Sequence, residues 1–242
     1  VAAPWIVDES LYGLLGRSLL GEHTVLSGSI PPVALVTPLL AGLPATIIGD
    51  LHHAVVVTQV LQALVMSSVA AVVFAWSRPI AGDRWAFAAA TASVIVPGMS
   101  YAGLLMTEAA FYPVSALALW LLARLVERPS RRGHLLFLAA CALAMATRLQ
   151  AVILLPVAVV SLGVAWVATR RLVLLQAALV QCAVLAAAAT CVGLLVATGH
   201  AGLGVYTGSV TGGYRAGTVL SDVWRHAGGI ALACGVVPLV AL

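Results

Sequence analysis

Long apolar runs, separated by short segments that carry arginine, dominate this chain. Several runs approach or exceed the ~20 residues that a helix needs to cross a bilayer. Apolar residues make up 62% of the 242 positions and charged residues only 8%, whereas a soluble globular chain carries roughly 25% charged residues. The pattern therefore predicts a protein that crosses the membrane several times, and it excludes a soluble domain.

The runs predict an all-α bundle of about seven transmembrane helices in a single domain. Their expected bounds are 52–76, 85–106, 108–125, 134–147, 150–168 and 172–198, with a seventh span starting near residue 227. The expected order is a first extracytoplasmic loop (1–50), the helix bundle (51–198), a second extracytoplasmic loop (199–226) and a truncated span (227–242). Because the chain begins with Val and ends within an apolar run, we expect it to be a fragment of a longer protein.

The arginines predict the orientation of the bundle, because loops rich in basic residues stay in the cytoplasm. Eight of the twelve lie in alternate loops: Arg78, Arg84, Arg124, Arg128, Arg131, Arg132, Arg170 and Arg171. The opposite side carries six of the eight acidic residues: Asp8, Glu9, Glu22, Asp50, Glu108 and Asp222. We therefore expect the functional site on this outer, acidic side. The net charge of +4 does not indicate nucleic-acid binding, since most of the arginines flank apolar spans.

The first loop contains two segments of different character. Residues 8–20, "DESLYGLLGRSLL", have apolar residues at helical spacing, which predicts an amphipathic helix lying beside the membrane surface. Residues 24–50 are apolar but include four prolines, which disfavour a continuous helix. We expect this second segment to be re-entrant or interfacial.

Glu108 and Arg148 are unusual because the predicted spans beside them are short. Fifteen residues lie between Glu108 and Arg124, and 13 between His134 and Arg148. These stretches rise only about 22 Å and 20 Å as helices, whereas the hydrocarbon core is ~30 Å thick. Arg124 can reach the cytoplasmic surface with its long side chain, or the helix can extend toward Arg128. Both Glu108 and Arg148 are thus expected at the depth of the outer leaflet. There each should face the bundle interior, where they either pair or meet a charged ligand such as a lipid phosphate.

Simpler explanations stay open for these charged residues. Arg148 fits an interfacial anchor whose side chain reaches to the membrane surface. Glu108 fits a helix N-terminal acid favoured by the helix dipole, with Thr107 as the capping residue. Asp8 fits the N-cap of the helix that follows it.

The sequence does not indicate a metal site. All four cysteines lie in apolar runs and lack the spacing of metal ligands, so we interpret them as packing residues. His52 and His53 adjoin Asp50, but neighbouring residues on a helix point apart, which favours an interfacial role.

Four stretches together resemble the GT-C superfamily of integral-membrane glycosyltransferases. They are similar in particular to the protein O-mannosyltransferases and related enzymes that use polyprenyl-phosphate sugars. The stretches are "DESLYGLLGRSLL", "PPVALVTPLLAGL", "PGMSYAGLLMTEAAFYPVSALALWLLARL" and "LLFLAACALAMATRLQAVILLPV". Their order and spacing carry the likeness, which covers about residues 5–165.

The resemblance implies an inverting transfer of a sugar from a polyprenyl-phosphate donor to an extracytoplasmic glycan, lipid or protein. In this family an acidic residue of the first outer loop is the catalytic base, and here that residue is Asp8, with Glu9 beside it. A carboxylate suits the role because a sugar hydroxyl must lose its proton as it attacks. No metal is expected to be obligatory, although Mg²⁺ or Mn²⁺ at the two acids is left open.

The resemblance also implies residues that bind the substrates at the surface of a plasma membrane. Arg148 is the predicted cation for the departing lipid phosphate. Glu108 is expected to bind a sugar or to orient Arg148, and Tyr12 and His53 complete the predicted substrate-binding set.

Two other functions are alternatives to a transferase. A transporter or lipid flippase would show inverted repeats and charges near the bilayer midplane, whereas the unusual charges here gather on one side. A structural membrane subunit without catalysis is the third alternative. An outward cavity that joins Asp8, Glu108 and Arg148 would favour the transferase.

Overall fold

The computed structural model of the chain describes residues 15–17, 19–20, 35–95 and 107–198, and within these residues it contains helices and no strand. The α-helices are α1 (Val36–Ile47), α2 (Leu51–Ser67), α3 (Val69–Ile95), α4 (Glu108–Glu127), α5 (Arg131–Thr147), α6 (Leu154–Thr169) and α7 (Leu172–Ala197). A short 3-10 helix, Leu149–Ile153, joins α5 to α6.

Four helical stretches in the described part of the chain are long and apolar enough to cross a membrane. They are His52–Ile95, Glu108–Glu127, Gln150–Thr169 and Leu172–Cys191. The all-α membrane fold predicted from the sequence is therefore confirmed, but the number of seven spans is not. The predicted loop 199–226 and the span from residue 227 lie outside the described residues.

The predicted fourth span, 134–147, corresponds to α5, which is not among these four stretches. It has 17 residues, so it rises about 25 Å and falls short of the ~30 Å hydrocarbon core. In contrast, α4 extends to Glu127 and has 20 residues, which gives it a length of about 30 Å. Of the two possibilities left open for its cytoplasmic end, α4 therefore shows the extension toward Arg128, and it is long enough to cross.

A bend at Gly82 separates the first two predicted spans, which both fall within the stretch His52–Ile95. Gly82 has φ 76° and ψ 169°, a conformation that side-chain-bearing residues rarely adopt. Phe74 and Phe87, on either side of Gly82, line one cavity of 590 Å³, although a straight helix would separate them by about 20 Å. An ion pair of 2.7 Å between Arg78 and Asp83 also bridges the bend.

The proline-rich segment forms a helix over part of its length, α1. Residues 24–34 lie outside the described residues, so the expectation that residues 24–50 form no continuous helix is not tested over the whole segment. Pro38 lies in the first turn of α1, where a backbone N–H has no partner within the helix. Pro44 lies inside the helix and has no N–H for the Leu40 carbonyl, but its own carbonyl accepts the N–H of Ile48 at 2.8 Å. The 12-residue helix therefore tolerates both prolines.

Two glycines bring residues 15–17 against α1, and both segments belong to the predicted first loop. Residues 15–17 are helical, in agreement with the predicted amphipathic helix, and Gly16 lies directly against Gly42. A Cβ atom added to Gly16 would lie 2.6 Å from the backbone nitrogen of Gly42, and one added to Gly42 would lie 2.6 Å from Cα of Gly16. Only residues without a side chain allow this approach of two backbones.

Small residues also allow close packing in the main bundle, where α4 packs most extensively on α5 and α6 on α7. Alanines of α4, α5 and α6 line the contacts and are fully buried, namely Ala118, Ala144 and Ala158. Phe137 and Leu162 fill the remaining space and are equally buried. The outer faces of the helices expose large apolar side chains, as lipid-facing helices do.

The arginine-bearing connections lie together at one end of the bundle. Trp76 and Ile80, beside the bend, share a cavity with Arg124 and Arg128 at the end of α4. The Arg171 guanidinium donates to the carbonyl oxygen of Glu127 at 3.3 Å. The three arginine-rich connections predicted to share a side therefore do so. The start of α4 and the end of α5 lie at the opposite end, about 30 Å away along α4.

We expect Gly42→Ala to destabilise the protein, because its new methyl group meets the backbone of Gly16. Overpacking of this kind costs about 1–3 kcal/mol, so the midpoint of thermal unfolding in detergent should fall. Gly163→Ala is the control, since a Cβ there meets no atom within 4 Å. It should leave the midpoint unchanged or raise it. Equal midpoints for both variants would show that the glycine contact does not hold the segment.

Candidate functional site

Glu108 is the first residue of α4 and lies at the end of the bundle away from the arginine-rich connections. An acid in the first turn of a helix is favoured by the helix dipole. The Glu108 side chain is 34% exposed, so it is neither free in water nor deeply buried. The hydroxyl of Thr107 donates to its Oε2 atom at 3.3 Å.

Thr107 does not cap α4, contrary to the simpler explanation of Glu108. Its backbone is already helical, with φ −65° and ψ −23°, and its side chain makes no capping hydrogen bond. The hydroxyl faces the Glu108 carboxylate instead, while the Thr107 carbonyl accepts the N–H of Phe111 at 3.0 Å. Thr107 therefore makes its side-chain hydrogen bond with the Glu108 carboxylate rather than with the helix backbone.

Arg148 ends α5 in an extended conformation, with φ −157° and ψ 123°. Its backbone N–H still bonds the Ala144 carbonyl at 2.9 Å, and its own carbonyl accepts the N–H of Ala151 in the 3-10 helix. The residue is thus fixed on both sides by helical structure, while its side chain is free to point away from the axis of α5. Thr147 beside it is fully buried.

Glu108 and Arg148 form an ion pair between Oε1 and the Nη1 atom of the guanidinium. The sequence left open whether the two would pair, and the structure shows that they do. Both side chains are about one-third exposed, so the pair keeps contact with its surroundings. A charged hydrogen bond of this kind fixes the guanidinium more firmly than a neutral bond would.

Gln150 is a third member of the cluster that the sequence analysis did not identify. Its Oε1 atom accepts a hydrogen bond from Nε of Arg148 at 3.2 Å. The guanidinium is therefore held from two directions, by an acid of α4 and by an amide of the 3-10 helix. The signal in the sequence was "TRLQ", a polar residue two positions after the arginine within an apolar stretch.

His53 lies at the start of α2 and pairs with Asp50 rather than with Glu108 or Arg148 in the described part of the chain. Its Nδ1 atom is 3.1 Å from the Asp50 carboxylate, which also accepts the His53 backbone N–H at 3.0 Å. This backbone bond is the main cause that lowers the pKa of the Asp50 carboxyl. Asp50 is thus the N-cap of α2, and the 74% exposed side chain of His53 lies beside that cap.

The remaining predicted site residues, Asp8, Glu9 and Tyr12, lie outside the described residues. Their roles stay predictions, as do the substrate-binding roles of Glu108, Arg148 and His53. Among the residues that the structure describes, no group of three or more His, Cys, Asp or Glu side chains is arranged to hold a metal ion. The question of Mg²⁺ or Mn²⁺ at Asp8 and Glu9 stays untested.

Comparison with known proteins places the chain in one family. The family model described as dolichyl-phosphate-mannose-protein mannosyltransferase matches residues 31–196. The matched range includes His53, Glu108 and Arg148 and begins after Asp8, Glu9 and Tyr12. Neither the curated proteins nor the solved structures that were searched contain a match.

We expect the Glu108–Arg148 pair to be energetically coupled. Glu108→Gln and Arg148→Gln should each lower the free energy of unfolding by about 1–2 kcal/mol, because each leaves a partly buried partner without its counter-charge. The double variant should lose less than the sum, with a coupling of about 1 kcal/mol in a double-mutant cycle.

The exposed pair of Arg78 and Asp83 is the matched control for that cycle. Its side chains are 60% and 71% exposed, so the coupling between Arg78→Gln and Asp83→Asn should be close to zero. Additive losses at Glu108 and Arg148, as at the control pair, would show that their contact does not stabilise the bundle.

Proposed function

The chain belongs to the dolichyl-phosphate-mannose-protein mannosyltransferase family, and from this premise we propose that it transfers a sugar from a polyprenyl-phosphate carrier to an extracytoplasmic acceptor. Its helices and its family make it a membrane glycosyltransferase of the mannosyltransferase type. The observation that supports the site is the Glu108–Arg148 pair, which lies at the end of the bundle opposite the arginine-rich connections. Membership in a transferase family favours this function over a transporter or flippase.

Arg148 is proposed to bind the phosphate of the donor lipid. A guanidinium has five N–H donors, and the described contacts of Arg148 use one N–H on Nε and one on Nη1. The others are available to phosphate oxygens, for which the planar fork of arginine is well shaped. The end of a membrane bundle suits a donor whose lipid tail stays within the bilayer and whose phosphate lies at the surface.

Glu108 is proposed to hold Arg148 in place for the incoming phosphate. Its contact fixes one edge of the guanidinium, and Gln150 restrains the Nε side. A side chain held in advance loses less conformational entropy when it binds its ligand. The Glu108 carboxylate also lowers the net charge of the site, so that the lipid phosphate can leave after the transfer.

Asp8 is proposed as the general base, with Glu9 beside it. An acceptor hydroxyl attacks the anomeric carbon of the donor sugar, and its proton passes to the Asp8 carboxylate. The bond from the anomeric carbon to the phosphate oxygen breaks, and the polyprenyl phosphate leaves with the bonding electrons. Arg148 stabilises the negative charge that develops on this phosphate. A single displacement of this kind inverts the anomeric configuration.

We expect Asp8→Asn to abolish transfer of a radiolabelled sugar from a polyprenyl-phosphate donor, because an amide cannot accept the proton. The loss should be about 10²–10⁴-fold, the usual contribution of general base catalysis. Glu9→Gln, which changes the same charge one residue away, should retain more activity. If Asp8→Asn is inserted in the membrane normally and transfers sugar at the wild-type rate, the assignment of the base is wrong.

We expect Arg148→Ala to raise KM for the donor by about tenfold or more, through the loss of charged hydrogen bonds to its phosphate. Arg148→Lys should have a smaller effect because it keeps the charge and loses only the fork. Arg131→Gln is the control, since it removes one positive charge from the opposite end of the bundle. If the alanine variant, the lysine variant and the wild type have equal KM values for the donor, Arg148 does not bind the donor phosphate and acts only as a membrane anchor.

A further inference from the structure

A cavity at the arginine-rich end of the bundle lies where α4 passes into α5. It has a volume of 450 Å³ and is lined by Arg124, Arg128 and Arg132 together with Ser130 and Gly133. Its remaining wall is apolar and consists of Pro129 and three leucines of α4 and α5, namely Leu121, Leu125 and Leu136. The cavity therefore combines three cations with an apolar surface, about 30 Å along α4 from the Glu108–Arg148 pair.

These three arginines have no counter-charge within the part of the chain that the structure describes, where no carboxylate forms an ion pair with any of them. Of the two acids described at this end, Asp83 pairs with Arg78. Glu127 shares a neighbouring cavity of 370 Å³ with Arg124 and Arg128 but forms no described ion pair with them. Arg124 also lies beside Trp120, whose ring centre is 5.3 Å from the guanidinium carbon. The three guanidiniums that line the 450 Å³ cavity can therefore offer N–H donors to an anion.

The helix dipoles explain only part of this arrangement. Arg124 lies in the last turn of α4, where a cation is favourable. Arg132 lies in the first turn of α5, where a cation is unfavourable and where the helix has no acid. The N–H of Gly133 is already bonded to the hydroxyl of Ser130 at 3.0 Å. A bound anion would offset the unfavourable position of Arg132 and would itself be favoured by the start of α5.

We propose that this cavity binds the phosphate headgroup of an anionic phospholipid. The three guanidiniums would hold the phosphate, and the leucine wall would contact the first part of the acyl chains. Leu135 and Leu136 are 68% and 47% exposed, so the side of α5 next to the cavity is apolar and open to lipid. Free phosphate would satisfy the arginines but would leave this leucine wall unused, which favours a lipid as the occupant. The leaflet is the one that the arginine distribution assigns to the cytoplasm.

The test compares thermal unfolding of the full chain in nanodiscs that contain phosphatidylcholine with increasing fractions of phosphatidylglycerol. Because a ligand that binds only the folded state stabilises it, the unfolding midpoint of the wild type should rise with phosphatidylglycerol and then saturate. In Arg128→Gln/Arg132→Gln the rise should disappear, with an apparent affinity at least about tenfold weaker. Arg131→Gln is the matched control, because Arg131 adjoins Arg132 but does not line the cavity. It should keep the saturable rise.

Two further measurements separate the possible ligands. Leu136→Gln keeps all the charges and alters only the apolar wall, so it should weaken the response to phosphatidylglycerol. Inorganic phosphate, added to the protein in phosphatidylcholine nanodiscs, should raise the midpoint much less than phosphatidylglycerol does. An equal response to inorganic phosphate would overturn the lipid as occupant, and an equal loss in Arg131→Gln would reduce the effect to general surface charge. If the double variant does not fold, Arg128→Lys and Leu136→Gln replace it in the comparison with the wild type. A rise of the unfolding midpoint with phosphatidylglycerol that equals the wild-type rise in both variants would overturn the proposal.

Discussion

A bilayer offers no water to the polar groups of a chain, and this constraint determines most of the structure described here. Backbone N–H and C=O groups must find partners within the same segment, which leaves helices as the main solution for a single apolar chain. Helices surrounded by lipid gain little from hydrophobic burial against each other. Their association therefore depends on close van der Waals packing, which small side chains allow. The alanine-lined contacts among α4, α5 and α6 and the backbone contact of Gly16 with Gly42 both follow from this condition.

The same constraint explains why charges in the described bundle occur at its two ends and why the ends differ. At one end an acid and an arginine meet across the α4–α5 contact and reduce each other's cost of leaving water. At the other end Arg124, Arg128 and Arg132 share a cavity, and no carboxylate of the described residues forms an ion pair with them. One end is thus nearly neutral and the other strongly positive. The orientation of the bundle in the membrane stays a prediction that rests on this arginine distribution.

The sequence predicted the fold class and placed Glu108 and Arg148 at one depth, but it left their pairing open. It also left open whether α4 stops near Arg124 or extends toward Arg128. The structure shows the longer helix, which reaches Glu127 and is long enough to cross. Glu108 and Arg148 meet because α4 and α5 are antiparallel and joined by only three residues, which places the start of one beside the end of the other.

What the sequence did not predict has local physical causes. Its four prolines disfavour one continuous helix over residues 24–50, but two of them, Pro38 and Pro44, lie within the shorter helix α1, whose bounds the proline content does not give. The hydroxyl of Thr107 had two potential partners, the helix backbone and the Glu108 carboxylate, and only coordinates distinguish them. Gln150 was missed because its role depends on the 3-10 helix after Arg148, whose short turn has no clear sequence pattern.

The extended backbone of Arg148 also decides how firmly the charged tip of the site is held. This residue interrupts the helical path between α5 and the 3-10 helix, yet its N–H and its carbonyl both keep helical partners. The guanidinium therefore starts from a turn that is anchored on both sides, and Glu108 on α4 restrains its far end. A side chain restrained at both ends would need little rearrangement to meet an anion, so a single extended residue provides preorganisation without a long loop.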